Sequence, residues 1–105
     1  MSAAIRLIDS PVRREILRLC WKEERGAGEI AGHFRALTFG AVSQHLTKLH
    51  AAGVVQRRRE GKRLFYRANP PALGPVGAML EAFWSNALNR LKDLAEAEQA
   101  RKRAR

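Results

Sequence analysis

Cysteine is almost absent from this sequence of 105 residues, and it contains no long apolar run. Cys20 stands alone, which excludes an intramolecular disulfide bond and a cysteine cluster for a metal ion. No segment approaches the about 20 consecutive apolar residues that a membrane-spanning helix needs, and the N-terminus lacks the charged and then apolar pattern of a signal peptide. We therefore expect a cytoplasmic protein that makes no membrane contact.

Residue patterns typical of catalysis are missing as well. The sequence shows no nucleophile paired with a base, no pair of carboxylates and no phosphate-binding loop, and Gly26-Ala27-Gly28 is too short to cradle a nucleotide. His33 and His50 are isolated in sequence, so we expect them at structural positions and not as metal ligands. The sequence therefore predicts no enzyme, no metal site and no other cofactor.

Acidic residues are half as frequent as basic ones, which gives a net charge of +10. Most of this charge lies in two short segments. Residues 54–68 hold six basic side chains and one carboxylate, and residues 101–105 hold four basic side chains. A polyanion is the expected partner of such segments. Solubility alone is the alternative explanation.

The segment from Thr38 to Gly53 has the pattern of one short helix with two unlike faces. Threonine suits the N-cap of a helix and glycine suits a left-handed stop, so both ends are marked. At 3.6 residues per turn, one apolar stripe contains Phe39, Val42, Leu46 and Leu49. The opposite face carries small hydroxyl and amide groups with one lysine, and such groups fit the major groove of DNA. We expect base contacts from Thr38, Gly40, Ser43, Gln44, His45 and Lys48.

His45 lies at the border between the two faces, and a partly buried packing role is the alternative for it. Three shorter helices are expected before this segment. They cover residues 2–9, a stretch from Pro11 to about Trp21 or Glu24, and residues 29–34. A short helix, a tight turn and a second helix with a polar outer face form a helix-turn-helix, in which the second helix enters the groove.

After Gly53 the period of the pattern changes. Two β-prone runs, residues 54–59 and 63–67, are joined by Glu60-Gly61-Lys62, a turn that predicts a hairpin. A hairpin directly after a recognition helix is a wing, and a basic wing rests against phosphates. The expected phosphate contacts are Arg57, Arg58, Arg59, Lys62 and Arg63.

Asn69-Pro70-Pro71 ends this unit, and a long helix with an apolar stripe is expected over about residues 75–100, followed by a frayed basic tail at 101–105. The leading helices of so small a domain cannot cover the whole stripe, so part of it is expected to meet a second copy in a symmetric dimer. The alternative is that Phe83 and Trp84 fold back onto their own core. The expected interface residues are Leu80, Phe83, Trp84, Ala87, Leu88 and Leu91.

Five segments together resemble the ArsR-type (ArsR/SmtB) winged helix-turn-helix repressors of bacteria. They are Asp9–Leu17, Gly28–Ala31, Val42–Leu49, Ala52–Val55 and Arg59–Arg67. The resemblance covers about residues 5 to 95. It implies one domain over residues 1–100, mainly α-helical (α+β), with about five helices and a β-hairpin wing. It also implies a homodimer that binds a palindromic operator on double-stranded DNA and blocks transcription until a signal is sensed.

Many members of that family bind a metal through a cysteine pair before the turn, or through carboxylates and histidines on the terminal helix. Here Ala27-Gly28-Glu29-Ile30 replaces the first pattern, and the terminal helix offers four carboxylates, Glu81, Asp93, Glu96 and Glu98, without a histidine. Thiolates and imidazoles select soft or borderline transition metals, so a site of that kind is not expected. The resemblance is nearest to non-metal-sensing members, with an unknown small-molecule inducer as a partner.

The rival interpretation is a winged-helix module that docks on another protein without specific DNA binding. In that case the basic segments serve solubility. Salt-dependent, sequence-selective binding to duplex DNA separates the two interpretations, because the rival predicts no selective retention.

Overall fold

The secondary structure follows the local signals of the sequence in most of the chain. The computed structural model describes residues 3–103. The helices are α1 (Ala3–Leu7), α2 (Pro11–Leu19), α3 (Ala27–His33), α4 (Phe39–Ala51) and α5 (Pro75–Arg103), with a 3-10 helix at Pro70–Leu73. The strands are β1 (Arg25–Gly26), β2 (Val55–Glu60) and β3 (Arg63–Ala68). The predicted fold class, mainly α with a β-hairpin wing, is confirmed.

Helix ends lie where capping residues occur. Ser10 precedes α2, and its hydroxyl oxygen accepts a hydrogen bond of 3.3 Å from the backbone N–H of Arg13. Thr38 precedes α4 and accepts a bond of 3.1 Å from the N–H of Ala41 in the same way. These bonds satisfy backbone donors that have no partner inside the helix. Gly53 follows α4 with φ at 77°, the left-handed conformation predicted for it.

The sheet contains one strand more than the predicted hairpin. The strand order is β1-β3-β2, and all pairs are antiparallel. The sequence interpretation treated residues 25–28 only as a break, which is wrong for Arg25 and Gly26, since they pair with Tyr66 and Phe65 of β3. A strand of two residues is too short to show a period-2 pattern. The third strand ties the segment after α2 to the wing.

The three helices before α4 also have bounds that differ from the prediction. Helix α1 ends at Leu7, two residues before the predicted end at residue 9, and residue 2 lies outside the described residues. Helix α2 ends at Leu19, before the predicted Trp21 or Glu24. Helix α3 begins at Ala27, two residues earlier than predicted, and ends before Phe34. The early start of α3 follows from β1, because residues 25 and 26 are extended and α3 starts directly after them.

A continuous core joins the helices before the wing to the sheet. Its largest fully buried side chains are Ile16, Leu17, Cys20, Ile30, Val42 and Leu49. Tyr66 and Ala68 of β3 are also buried. Two backbone bonds fasten the hairpin at its base. The N–H of Ala68 donates to the carbonyl of Cys20 (2.9 Å), and the N–H of Asn69 donates to that of Val54 (2.8 Å).

The chain divides into two compact units, of which one ends at Gly74 and the other begins at Pro75. The second unit is α5, a helix of 29 residues that is about 44 Å long at 1.5 Å per residue. It continues through Arg101, Lys102 and Arg103, where fraying after Ala100 was predicted. Residues 104 and 105 of the predicted tail lie outside the described residues. Between residues 3 and 103, no helix has both the length and the apolar character needed to cross a membrane.

Two glycine substitutions with opposite expected signs test how α4 ends. Gly53→Ala places a side chain at φ 77° with no atom within 4 Å, so the cost is backbone strain alone; we expect about 1–2 kcal/mol of destabilisation. Gly32→Ala lies inside α3, also with nothing within 4 Å, and should stabilise by about 0.5–1 kcal/mol. Chemical denaturation measures both. Equal shifts for the two variants would contradict the left-handed stop.

Candidate nucleic-acid interface

Helices α3 and α4 form the helix-turn-helix that the sequence predicts. Five residues separate His33 from Phe39, and within them the N–H of Leu37 donates to the carbonyl of Phe34 (3.2 Å). Val42, Leu46 and Leu49 are at most 2% exposed. Because these three side chains hold one side of α4 in the core, the opposite side of the helix faces solvent.

The predicted base-reading residues differ in how open they are. Gly40, Gln44 and Lys48 are exposed, whereas Ser43 and His45 are half-buried. Thr38 is exposed, but its hydroxyl oxygen already accepts from the backbone of Ala41. Gln44 therefore presents an amide that is free to donate and accept on the outer face of α4.

Thr47 and Phe39 are two exposed residues of α4 that the prediction of the base-reading set omitted. The hydroxyl of Thr47 donates to the carbonyl of Ser43 (3.0 Å), so this donor is used within the helix. Phe39 is 59% exposed. Its predicted place in the buried stripe is wrong, since the core is filled by the three apolar residues that follow it at helical spacing.

His45 is held from one side by an arginine of α2. The Nη1 atom of Arg13 lies 3.2 Å from Nδ1 of His45. A guanidinium only donates hydrogen bonds, so Nδ1 is the acceptor and the ring proton sits on Nε2. Burial, and then the charges of Arg13 and Lys48, lower the pKa of His45. At neutral pH the ring is therefore uncharged, with Nε2–H as its remaining donor.

The same arginine also binds the end of α1. Its Nε donates to the carbonyl of Leu7 (2.5 Å) and its Nη2 to that of Arg6 (3.4 Å). Arg14 binds the carbonyl of Ile8 (2.7 Å). Carbonyls at a helix C-terminus carry partial negative charge, so cations suit this position. Arg13 thus links α1 to the recognition helix through one side chain.

The wing is a tight hairpin with basic side chains on both faces. Glu60 pairs with Arg63, which leaves only Gly61 and Lys62 in the turn, and Gly61 has φ at 62°. Side chains alternate along β2, so Arg57 and Arg59 share one face while Arg58 lies on the other. Within residues 3–103, Arg57, Arg59 and Lys62 have no ion-pair partner.

Arg58 is distinct from its neighbours because two carboxylates neutralise it. Its guanidinium lies 2.7 Å from Glu24 and 2.6 Å from Glu60, and 4.7 Å from the ring centre of Phe65. The hydrogen bonds to the two glutamates raise the pKa of Arg58, and the same contact lowers the pKa of Glu24. Arg63 is the second cation near that ring, at 5.8 Å. Arg58 therefore braces the wing against the segment after α2, a contact across 34 residues that no local sequence signal shows.

Comparison with known proteins agrees with this geometry. A family model described as bacterial regulatory protein, arsR family, matches residues 10–57. The transcriptional repressor SdpR of Bacillus subtilis (strain 168) is 34% identical over 73 residues, which cover 70% of this chain and 80% of that protein. The chain belongs to the ArsR family of bacterial transcriptional regulators.

Two solved structures are similar as well. A possible transcriptional regulator for arsenical resistance has a TM-score of 0.66 and 32% identity, over 89% of this chain and 96% of that one. The homodimeric winged helix-turn-helix DNA-binding domain Mb0332 of Mycobacterium bovis, a possible ArsR-family regulator, has a TM-score of 0.64 and 26% identity, over 78% of this chain and 75% of that one. The chain is thus a winged helix-turn-helix DNA-binding regulator.

The terminal helix of this ArsR-family regulator exposes most of its apolar stripe. Phe83, Leu88 and Leu91 are each at least 65% exposed, Ala87 is exposed and Trp84 is half-buried. Leu80, also predicted for the dimer interface, is only 4% exposed in the single chain, so little of its side chain is available to a second copy. The set of residues predicted for the dimer interface omitted Met79 and Leu94, whose side chains are 65% and 68% exposed.

Several other titratable groups of the regulator, which include Cys20, Arg25 and His33, are buried or paired. Burial raises the pKa of the Cys20 thiol to about 11, which disfavours the reactive thiolate. An open cleft beside α3 is lined by Leu19, Arg25, Glu29, Ile30 and His33. Its Arg25 and Glu29 lie 3.3 Å apart, and His33 lies 3.4 Å from Glu15. In the part of the chain that the structure describes, no three of His, Cys, Asp and Glu are grouped as metal ligands would be.

The salt dependence of DNA binding tests the difference between the wing arginines. Arg59→Gln removes a cation without a carboxylate partner, so the slope of log affinity against log salt should become shallower by about 0.9 for each bound protomer. Arg58→Gln combined with Glu24→Gln removes a cation and an anion together, and the slope should stay unchanged. Fluorescence anisotropy on one duplex at several salt concentrations measures both. Equal slope changes would show that Arg58 contacts a phosphate.

Proposed function

We propose that this ArsR-family regulator is a repressor that binds a palindromic operator as a homodimer in the bacterial cytoplasm. The observation that carries the proposal is the outer face of α4. It presents an exposed amide, a glycine and a lysine, while its inner face is fully buried and its N-terminus is capped. A rigid helix with a short polar face suits the major groove.

Base reading is assigned to Gln44, Ser43 and His45, helped by Thr38, Gly40 and Lys48. The exposed Gln44 amide has the donor and acceptor that pair with adenine N7 and N6. The Nε2–H of His45 suits an acceptor, such as a phosphate oxygen or guanine O6. Phosphate contacts are assigned to the cations of the wing that form no ion pair with a carboxylate of residues 3–103. They are Arg57, Arg59, Lys62 and Arg63, of which Arg63 lies near the ring of Phe65.

Dimerisation is assigned to α5, through Phe83, Trp84, Ala87, Leu88 and Leu91. Single exposed leucines are common on protein surfaces, but this helix exposes several apolar side chains on a single element. A homodimeric relative in the same fold supports a second copy as the partner. With a dyad between the two recognition helices, the half-sites lie about 10–10.5 base pairs apart.

Repression is proposed because the relative SdpR is a transcriptional repressor. A dimer seated on an operator near a promoter blocks transcription without any catalytic step. The proposed signal is a small-molecule inducer that lowers the affinity for DNA. A protein-interaction module is the competing function, and it predicts no sequence-selective DNA binding.

Selection of bound duplexes from a random-sequence pool tests base reading. The wild-type protein should enrich a palindrome, whereas Gln44→Ala should lose base preference at one position in each half-site, with a cost of about 1–3 kcal/mol against the preferred base. Gln56→Ala is the matched control, because this exposed amide lies on β2 and should leave the preference intact. An unchanged preference in the Gln44 variant would remove this side chain from base reading.

Light scattering at micromolar concentration tests the dimer. Leu91→Glu places a charge among exposed apolar side chains and should yield a monomer that binds a half-site but no longer prefers the full palindrome. Asn89→Glu adds the same charge to an exposed position on the same helix, about 200° away around its axis at 100° per residue, and should stay dimeric. A dimeric Leu91 variant, or a monomeric wild type, would contradict the assignment.

A further inference from the structure

The first residue of the recognition helix is an exposed aromatic ring. Phe39 is 59% exposed although it stands directly after the N-cap Thr38. The core beside it is filled by Val42, Leu46 and Leu49, which are at most 2% exposed. Burial of such a ring normally stabilises a protein by about 1.5–3 kcal/mol. In the free protein this gain is largely unused.

The position of the ring indicates what covers it. Residues at i and i+4 lie on the same side of a helix, so Phe39 is next to Ser43 of the base-reading set. A side chain built on the neighbouring Gly40 would meet only the Thr38 hydroxyl, at 4.0 Å. A ligand can therefore approach the first turn of α4 without a steric clash at this position. The N-terminal residues of a recognition helix are those that contact base edges. Phe39 therefore lies at the end of α4 that contacts base edges when a recognition helix enters the groove.

The chemistry of the ring restricts its ligand. A phenyl ring neither donates nor accepts a conventional hydrogen bond, so it does not read the polar groups of a base edge. The one apolar group that the four standard bases present in the major groove is the C5-methyl of thymine. The hydroxyl oxygen of Thr38 accepts from the Ala41 N–H and keeps its O–H as a donor, which suits a polar group and not a methyl group.

We propose that Phe39 is a specificity-determining residue that selects a thymine in each half-site by packing its ring against the C5-methyl group. The proposal rests on the proposed function, since it places α4 in the major groove. It adds an apolar contact at the N-terminal end of α4 to the polar contacts already assigned to this helix, and it names the base read there.

Replacement of thymine by deoxyuridine tests the contact, because it removes only the methyl group. The probe is the palindromic duplex enriched by the wild-type protein, with each thymine replaced in turn and symmetrically in both half-sites. At one position per half-site, the wild type should lose about four-fold in affinity for each methyl group, as expected for one buried methyl group. Phe39→Ala should bind the thymine and the deoxyuridine duplex equally at that position.

Two further variants make the measurement specific. Phe39→Leu keeps an apolar side chain and should retain part of the preference for thymine. Ile5→Ala truncates another exposed apolar residue, on α1, and should keep the full sensitivity to deoxyuridine. Because the Phe39 ring is exposed, Phe39→Ala should unfold at the same temperature as the wild type by circular dichroism.

The outcomes separate this contact from the function on which it depends. If the wild type is insensitive to deoxyuridine at every position, or if Phe39→Ala keeps the wild-type sensitivity, the thymine contact is overturned. If Gln44→Ala still alters the selected sequence in that case, base reading by α4 stands without Phe39. If the wild type enriches no sequence from the pool, both proposals fail together.

Discussion

Burial of one side of α4 is the constraint on which the rest of the interface depends. Val42, Leu46 and Leu49 are locked into the core between α2, α3 and the sheet, and this packing fixes the rotation of the helix about its own axis. Every property of the outer face follows from that rotation. Gln44 and Lys48 face solvent, Ser43 is half-buried, and His45 turns toward Arg13. A small shift in this packing would change which groups α4 presents to solvent.

The wing owes its position to contacts that bridge distant parts of the chain. Backbone bonds at Ala68 and Asn69 fix its base, while β1 adds a third strand along the edge of β3. Glu24 and Glu60 then clamp Arg58 over the ring of Phe65. The charge of this arginine is thereby paired with carboxylates, and its side chain helps to hold the hairpin in place. The neighbouring cations Arg57, Arg59 and Lys62 stay exposed on a hairpin that these contacts hold in place.

Local signals predicted the elements, whereas contacts between elements decided the details that the sequence left open. Thr38 and Gly53 mark the ends of α4 through bonds to residues nearby, so they were predictable. The two-residue strand β1 is too short to show the alternation of apolar and polar residues by which a strand is predicted. Phe39 shares the helical spacing of the buried stripe, but it lies at the end of the helix, where the core stops. Leu80 and Leu91 look alike in sequence, and only the folded chain shows that the first is buried. The ion pair between Glu24 and Arg58 could not be predicted from local sequence, because the two residues lie 34 positions apart.

Arg13 shows how the recognition helix depends on the segment that precedes it. Its guanidinium holds two carbonyls at the end of α1 and also Nδ1 of His45. A movement of α1 relative to α2 therefore changes the hydrogen-bonding state of a residue on α4 without any change in the packing of that helix. Loss of the Arg13 bond would free Nδ1, allow either ring tautomer and relieve one of the charges that lower the pKa of His45. The ring nitrogen that carries the proton of His45 is thus set by a residue outside the helix-turn-helix.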